Sequence, residues 1–83
     1  MEKFEATFSV LTMSIASSAA MALGLAPDPQ TNATTKDKDM ARFNIDLLVM
    51  LKDKTKGNLN NDESRFLDSV INDLQLKFIQ ENK

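Results

Sequence analysis

The chain has no cysteine, no histidine, no tyrosine and no tryptophan. Each absence closes off some chemistry. Without cysteine there is no disulfide to brace a small fold, and the chain is compatible with a reducing cytoplasm. Without histidine or cysteine, imidazole acid–base catalysis and the usual nucleophilic triads are excluded. A zinc site would have to be built from carboxylates alone, an unusual donor set. With only two glycines there is no glycine-rich loop to cradle a nucleotide. An excess of positive charge is missing too: 10 basic residues face 12 acidic ones, a net charge of -2. Backbone binding of nucleic acid needs a concentrated positive surface, so nucleic acid is not the expected partner.

Carboxylates, lysines and hydroxyls remain. Asp46 and Asp53 fall on one helix face, but two turns separate them by about 10 Å, long for a pair acting on one bond. Asp68 and Asp73 diverge. Lys52 or Lys56 would act as a nucleophile only if desolvated, and a helix end offers little burial. The segment Asp53–Glu63 invites a calcium-loop interpretation, but the register fails. Counted from Asp53, Gly57 falls at position 5 instead of 6 and Glu63 at 11 instead of 12, with lysines at 2 and 4. The expectation is a protein that is not an enzyme, with no catalytic residue, no metal and no cofactor.

At 83 residues the chain is expected to form a single domain, 1–83, of a size that buries only about 60% of its unfolded surface. Phe8–Ala26 carries no charge. Its length is that of a membrane span, and it loosely resembles a signal-peptide core. Against spanning, it holds four serines, a threonine, a glycine and several alanines. Against a signal peptide, the preceding MEKFEA is not a positive n-region. A buried soluble helix is the leading alternative of the three.

Helical periodicity divides the chain into helices of about 2–23, 36–55 and 61–80. In the first, Phe4, Phe8, Leu11, Ile15, Ser18 and Ala22 recur at spacings of three and four. Val10, Met13, Ala16, Ala20 and Met21 lie off that stripe, so the helix is apolar on most sides. Three helices cannot enclose such an element, which points to a second chain. Small residues at 14 and 16–20 permit close approach, and a serine hydroxyl can bond back to the carbonyl four residues earlier. A tightly packed intramolecular core remains the alternative use of this patch.

Gly24 is placed to end the first helix in the left-handed conformation, and Pro27 and Pro29 prevent its continuation. The linker Leu25–Lys36 has loop composition. Asn32-Ala33-Thr34 matches a glycosylation acceptor pattern, without consequence unless the chain is secreted. Thr34 with Asp37, or Thr35 alone, is a candidate cap for the second helix. There Met40, Phe43, Leu47, Met50 and Leu51 form a stripe widened by Ile45, Leu48 and Val49. The unbroken run Leu47–Leu51 exceeds what one buried face absorbs, a second sign of a partner surface. Asp37 and Asp39 at one end, and Lys52, Lys54 and Lys56 at the other, suit the helix dipole.

Gly57 fits a helix stop. Asn60 and Glu63 form a capping-box-like pair opening the third helix, with Leu59 at the staple position. The short connection implies that the second and third helices are antiparallel neighbours. In the third helix Phe66, Leu67, Val70, Ile71, Leu74 and Phe78 make a broad face extended by Ile79. Arg65 is spaced to pair with Asp68, Leu76 lies off the face, and the tail Glu81–Lys83 is expected to fray.

Several segments carry a resemblance. They are Phe8–Leu11 with Ser17-Ser18-Ala19, Leu23-Gly24, Pro27-x-Pro29-x-Thr31, Ile45-Asp46-Leu47-Leu48, Met50-Leu51 and Lys54-Thr55-Lys56-Gly57-Asn58-Leu59. In these the chain resembles the small bacterial family called domain of unknown function 1844 over roughly residues 6–79. The Lys54–Leu59 segment is the specific part. The third helix departs from the pattern, with Leu76-Lys77-Phe78 where related chains tend to have Leu-Arg and a nearby tyrosine. The resemblance implies a small all-helical fold and assigns no activity, so it supplies no functional residues.

The expected fold is all-α, a three-helix bundle with helices two and three as an antiparallel hairpin. The expected function is that of a non-enzymatic, self-associating interaction or accessory protein of the cytoplasm, a homo-oligomer through helix one with an unknown protein partner. The alternative is a peripheral membrane or membrane-complex subunit using Phe8–Ala26. Candidate interface residues are Phe8, Leu11, Ile15, Ala19, Ala22, Leu48 and Met50. Gly24, Gly57, Asn60 and Glu63 are expected to build turns and caps.

Overall fold

The computed structural model describes residues 6–81 and shows an all-α three-helix bundle: α1 (Phe8–Ala22), α2 (Lys38–Lys54) and α3 (Asn61–Glu81). All three helices touch one another. The molecule is only 16 Å thick between its outermost Cα atoms. That accommodates two layers of helix and no enclosed third one, since neighbouring axes lie about 8–10 Å apart. Every helix therefore keeps a solvent face.

α1 starts later than its run of helix formers suggests. Thr7 sits in extended backbone (φ -115, ψ 160) and its hydroxyl accepts from the Val10 amide at 3.1 Å, which makes it the N-cap. Positions 2–5, including Phe4 of the expected stripe, lie outside the described residues. The helix ends in a Schellman motif. Gly24, at φ +78, donates to the Met21 carbonyl, and Leu25 donates to that of Ala20, both at 3.0 Å.

The connection to α2 is tied at its base, where Asp37 donates to the Ala22 carbonyl at 2.7 Å and Leu23 bridges Lys36. Its tip bonds to itself: Asp28 donates to the Ala33 carbonyl, and the Asp28 carboxylate accepts from the Gln30 amide. Neither Thr34 nor Thr35 caps α2. Asp37 does, accepting from the Met40 amide at 3.1 Å, so the helix begins at Lys38. A carboxylate at this position also answers the positive end of the helix dipole.

At the other corner, Thr55 closes α2 by returning its hydroxyl to the Leu51 carbonyl. Gly57 takes φ +86, a conformation that costs a residue with a Cβ about 1 kcal/mol or more. Asn60 and Glu63 then satisfy each other's backbone reciprocally. The Glu63 amide donates to Asn60 Oδ1 at 2.8 Å, and the Asn60 amide donates to Glu63 Oε1 at 3.0 Å. This is a capping box with asparagine in the hydroxyl position.

The core is drawn from all three helices: Ala19, Ala22 and Leu23, then Ala41, Ile45 and Leu48, then Leu67, Ile71 and Leu74. Phe8, Ile15, Ala16, Leu51, Leu59, Val70 and Phe78 are half-buried around it. Ala19 and Ala41 are fully buried, and side chains this small let α1 and α2 approach closely. The two buried polar residues among those described satisfy themselves within their own helices. Thr12 donates to the Phe8 carbonyl and Asn44 to that of Met40, so neither incurs the penalty of an unpaired buried donor.

Two apolar stripes are rotated from their expected places. On α1 the inward line runs Phe8, Thr12, Ile15, Ala19, Ala22, and Leu11 faces solvent. On α2 the inward line is Ala41, Asn44, Ile45 and Leu48, while Met40, Phe43 and Met50 stand outside. α3 buries Leu67, Ile71 and Leu74 and leaves Leu76 and Ile79 exposed. The Ile79 extension of its face is therefore not part of the core.

Candidate functional site

Two surfaces have features beyond ordinary packing. The first is the side of the bundle formed by α1 and α2. The nearest charged residue after Phe8 is Asp28, so α1 presents an uncharged surface in every direction. Its exposed positions include Val10, Leu11 and Met13. The Ser14 hydroxyl donates to the Val10 carbonyl at 3.0 Å and that of Ser18 to the Ser14 carbonyl at 3.3 Å. These side chains have spent their donors inside the helix and need no water to satisfy them. Next to α1, the exposed row of α2 is Met40, Phe43 and Met50, with Leu47 half-buried between them. Phe43 is 56% exposed. Ser18 and Met21 of α1 share a shallow cavity with Met40, so the two exposed rows meet where the loop between them closes.

The expected interface residues fall into two groups. Ala19, Ala22 and Leu48 are buried in the core, and Phe8 and Ile15 are half-buried against it. Leu11 and Met50 remain exposed. Phe43 and Met40, which were read as part of the stripe of helix two, are the larger exposed groups on the same side. The signal that would have found them is the three–four–three spacing of Met40, Phe43, Leu47 and Met50, a row that competes with Ala41, Asn44, Ile45 and Leu48 for the inward position.

The second surface is the α2–α3 corner. A half-open cavity of about 420 Å³ lies there, walled by Val49, Lys52, Lys56, Leu59, Leu67 and Asp68 among others. Lys52 Nζ lies 2.8 Å from Asp68 Oδ1, an oxygen that is itself buried. The contact is an ion pair. Asp68 thus pairs across to α2 and not with Arg65 on its own helix. Asp73 pairs with Lys77 at 2.9 Å, and Asp46 lies 4.0 Å from Arg42. Lysine and aspartate alternate around the cavity, so it presents no net charge that selects an anion or a cation.

Among the described residues no group of three or more acidic side chains could hold a metal ion. Nor is any helix long and apolar enough to cross a membrane. α1, with 15 residues, spans about 22 Å, short of a hydrocarbon core of about 30 Å.

Residues 5–80 match the family described as domain of unknown function (DUF1844), and the chain belongs to that family. No curated protein and no solved structure matches the chain.

Proposed function

We propose that this chain is a non-enzymatic, self-associating interaction protein of the cytoplasm, with α1 at the contact between copies and a further protein as the partner it serves. One observation carries this: α1 is uncharged on its solvent side, from Phe8 to the end of the helix. A helix that is apolar on most sides is normally covered on most sides, and a bundle this thin covers only one side of it. The absence of histidine, cysteine and tyrosine supports the non-enzymatic assignment.

The same face could lie on a membrane surface. Helices that do so are rich in lysine and arginine on the polar side, whereas α1 has neither. Covering by protein is therefore the better account.

The scaffold of this reading is a hairpin in which α2 and α3 run antiparallel. The short corner and the Lys52–Asp68 pair beside it support that arrangement. So does the groove that Arg42 and Ile45, near the start of α2, share with Phe78 and Ile79, near the end of α3.

Sedimentation equilibrium without detergent tests the proposal. A dimer or tetramer is expected, and Leu11→Asp should weaken it. A monomer near 9.3 kDa at all concentrations, or recovery only in detergent, would overturn it.

A further inference from the structure

The α1–α2 side has a relief as well as a hydropathy. The α2 row, Met40, Phe43, Leu47 and Met50, consists of large side chains and forms a ridge. The parallel row on α1 is Leu11, Ser14, Ser18 and Met21, with the same three–four–three spacing. Its two middle members are serines whose hydroxyls are already bonded back to their own helix. This row is a trough that can be covered without stranding a donor.

A ridge beside a trough is self-complementary. A two-fold axis running between the two helices lays the ridge of one copy into the trough of the other, and does so twice. We infer that a second copy of this chain occupies this side, forming a four-helix layer in which Phe43 and Leu47 of one copy cover Ser14 and Ser18 of the other. The inference rests on the self-association reading and narrows it. The contact is the α1–α2 side, and α2 supplies the larger side chains.

The area fits a dimer. Leu11, Met40, Phe43 and Met50 are 46%, 49%, 56% and 42% exposed. Together they leave roughly 400 Å² of apolar surface in water, the size of the largest patch on a typical monomer, which is often a functional one. A standard interface takes about 800 Å² from each partner, a little over half of it apolar. These four side chains supply most of that apolar share. Of the charges of α2 around the row, Asp39 and Lys54 lie at its two ends, and Asp46, one turn from both Phe43 and Met50, flanks its middle on the side toward α3, paired with Arg42; these positions form a polar rim. The α2–α3 side, by contrast, already uses Lys52 and Asp68 within one chain.

The test compares three chains across a concentration series by sedimentation equilibrium, with helix content followed by circular dichroism. The parent chain should be a dimer. Phe43→Glu should keep its helix content and raise the dimer dissociation constant at least ~100-fold, because an apolar ring is lost and a charge is buried at each of two symmetric contacts. Gln75→Glu, on α3, should leave the constant unchanged.

The chain has no cysteine, so a second measurement is free of background. Chains carrying Ser18→Cys and chains carrying Phe43→Cys are mixed and mildly oxidised. The mixed disulfide should dominate over either self-disulfide.

A parent dimer that survives Phe43→Glu intact, or a mixture giving only self-disulfides, would overturn this geometry and leave self-association standing. A monomeric parent would overturn both.

Discussion

No ion pair among the described residues joins α1 to α2, whereas α2 and α3 are linked by Lys52 and Asp68 at 2.8 Å. The two contacts are built from different materials. α1 and α2 meet through small side chains: Ala19 and Ala41 are fully buried and Thr12 keeps its hydroxyl bond within α1. α2 and α3 bring larger side chains to the core, Leu48, Leu67 and Ile71, with charge along their shared edge and a cavity left at the corner. The first contact depends on fit and is insensitive to salt. The second tolerates gaps and has a salt-dependent part. The contact without an ion pair is also the one bordered by the apolar rows of α1 and α2.

The comparison can be broken most severely at the core that all three helices build. Leu48 is fully buried there. Leu48→Ala should cost about 2–5 kcal/mol, measured as a loss of unfolding free energy in urea. In a domain this marginal that approaches the whole stability.

Next comes the fit of the α1–α2 contact. Ala19→Leu should destabilise by about 1–3 kcal/mol through overpacking, although it adds apolar surface. Stabilisation by this change would show that the contact is loose and not close-packed. Removing the cap that starts α3, by Asn60→Ala, should cost about 1 kcal/mol, readable as a fall in melting temperature of roughly 4–8 °C.

The smallest effect should come from the charged edge. Lys52 and Asp68 side chains are 59% and 43% exposed, so solvent screens them. Lys52→Met should change stability by less than about 1 kcal/mol, with the difference shrinking as salt is added. A large or salt-independent loss would mean that the buried Asp68 oxygen depends on this lysine more than exposure suggests.

The sequence made some of these features legible and hid others, for physical reasons. Three helices could be read because their breaks carry residues with strong local preferences. Gly24 and Gly57 adopt positive φ, and Asn60 and Glu63 bond reciprocally. Thr7 does not stand out as a cap in the sequence, because the residues before it are also good helix formers.

The inward faces were harder. On α2 the louder stripe, Met40, Phe43 and Met50, faces out, and the quieter one, Ala41, Asn44, Ile45 and Leu48, faces in. Hydropathy measures what a side chain gains by leaving water. It does not register that alanine allows two backbones to come near each other, or that asparagine can satisfy itself on the carbonyl four residues back. α1 shows the same effect one residue over, with Thr12 inside and Leu11 outside. Where a helix is apolar on several sides, size and self-satisfaction decide the orientation, and the tally of hydrophobic residues does not.

The loop between α1 and α2 has one more consequence, for engineering. Its base is clamped by the Asp37 amide on the Ala22 carbonyl and by the Leu23–Lys36 bridge. Its span is therefore set by the clamp and not by the residues beyond it. Its tip, Gln30–Thr34, is exposed and contributes nothing to the core. Lengthening a loop whose ends are already held costs closure entropy of about 0.6 kcal/mol for each doubling, beside the exposed turn bond from Asp28 to Ala33 that an insertion interrupts. A short epitope or a dye-labelled segment spliced in after Asn32 should leave the melting temperature nearly where it was. The loop then becomes a handle by which the folded chain can be followed without altering its core.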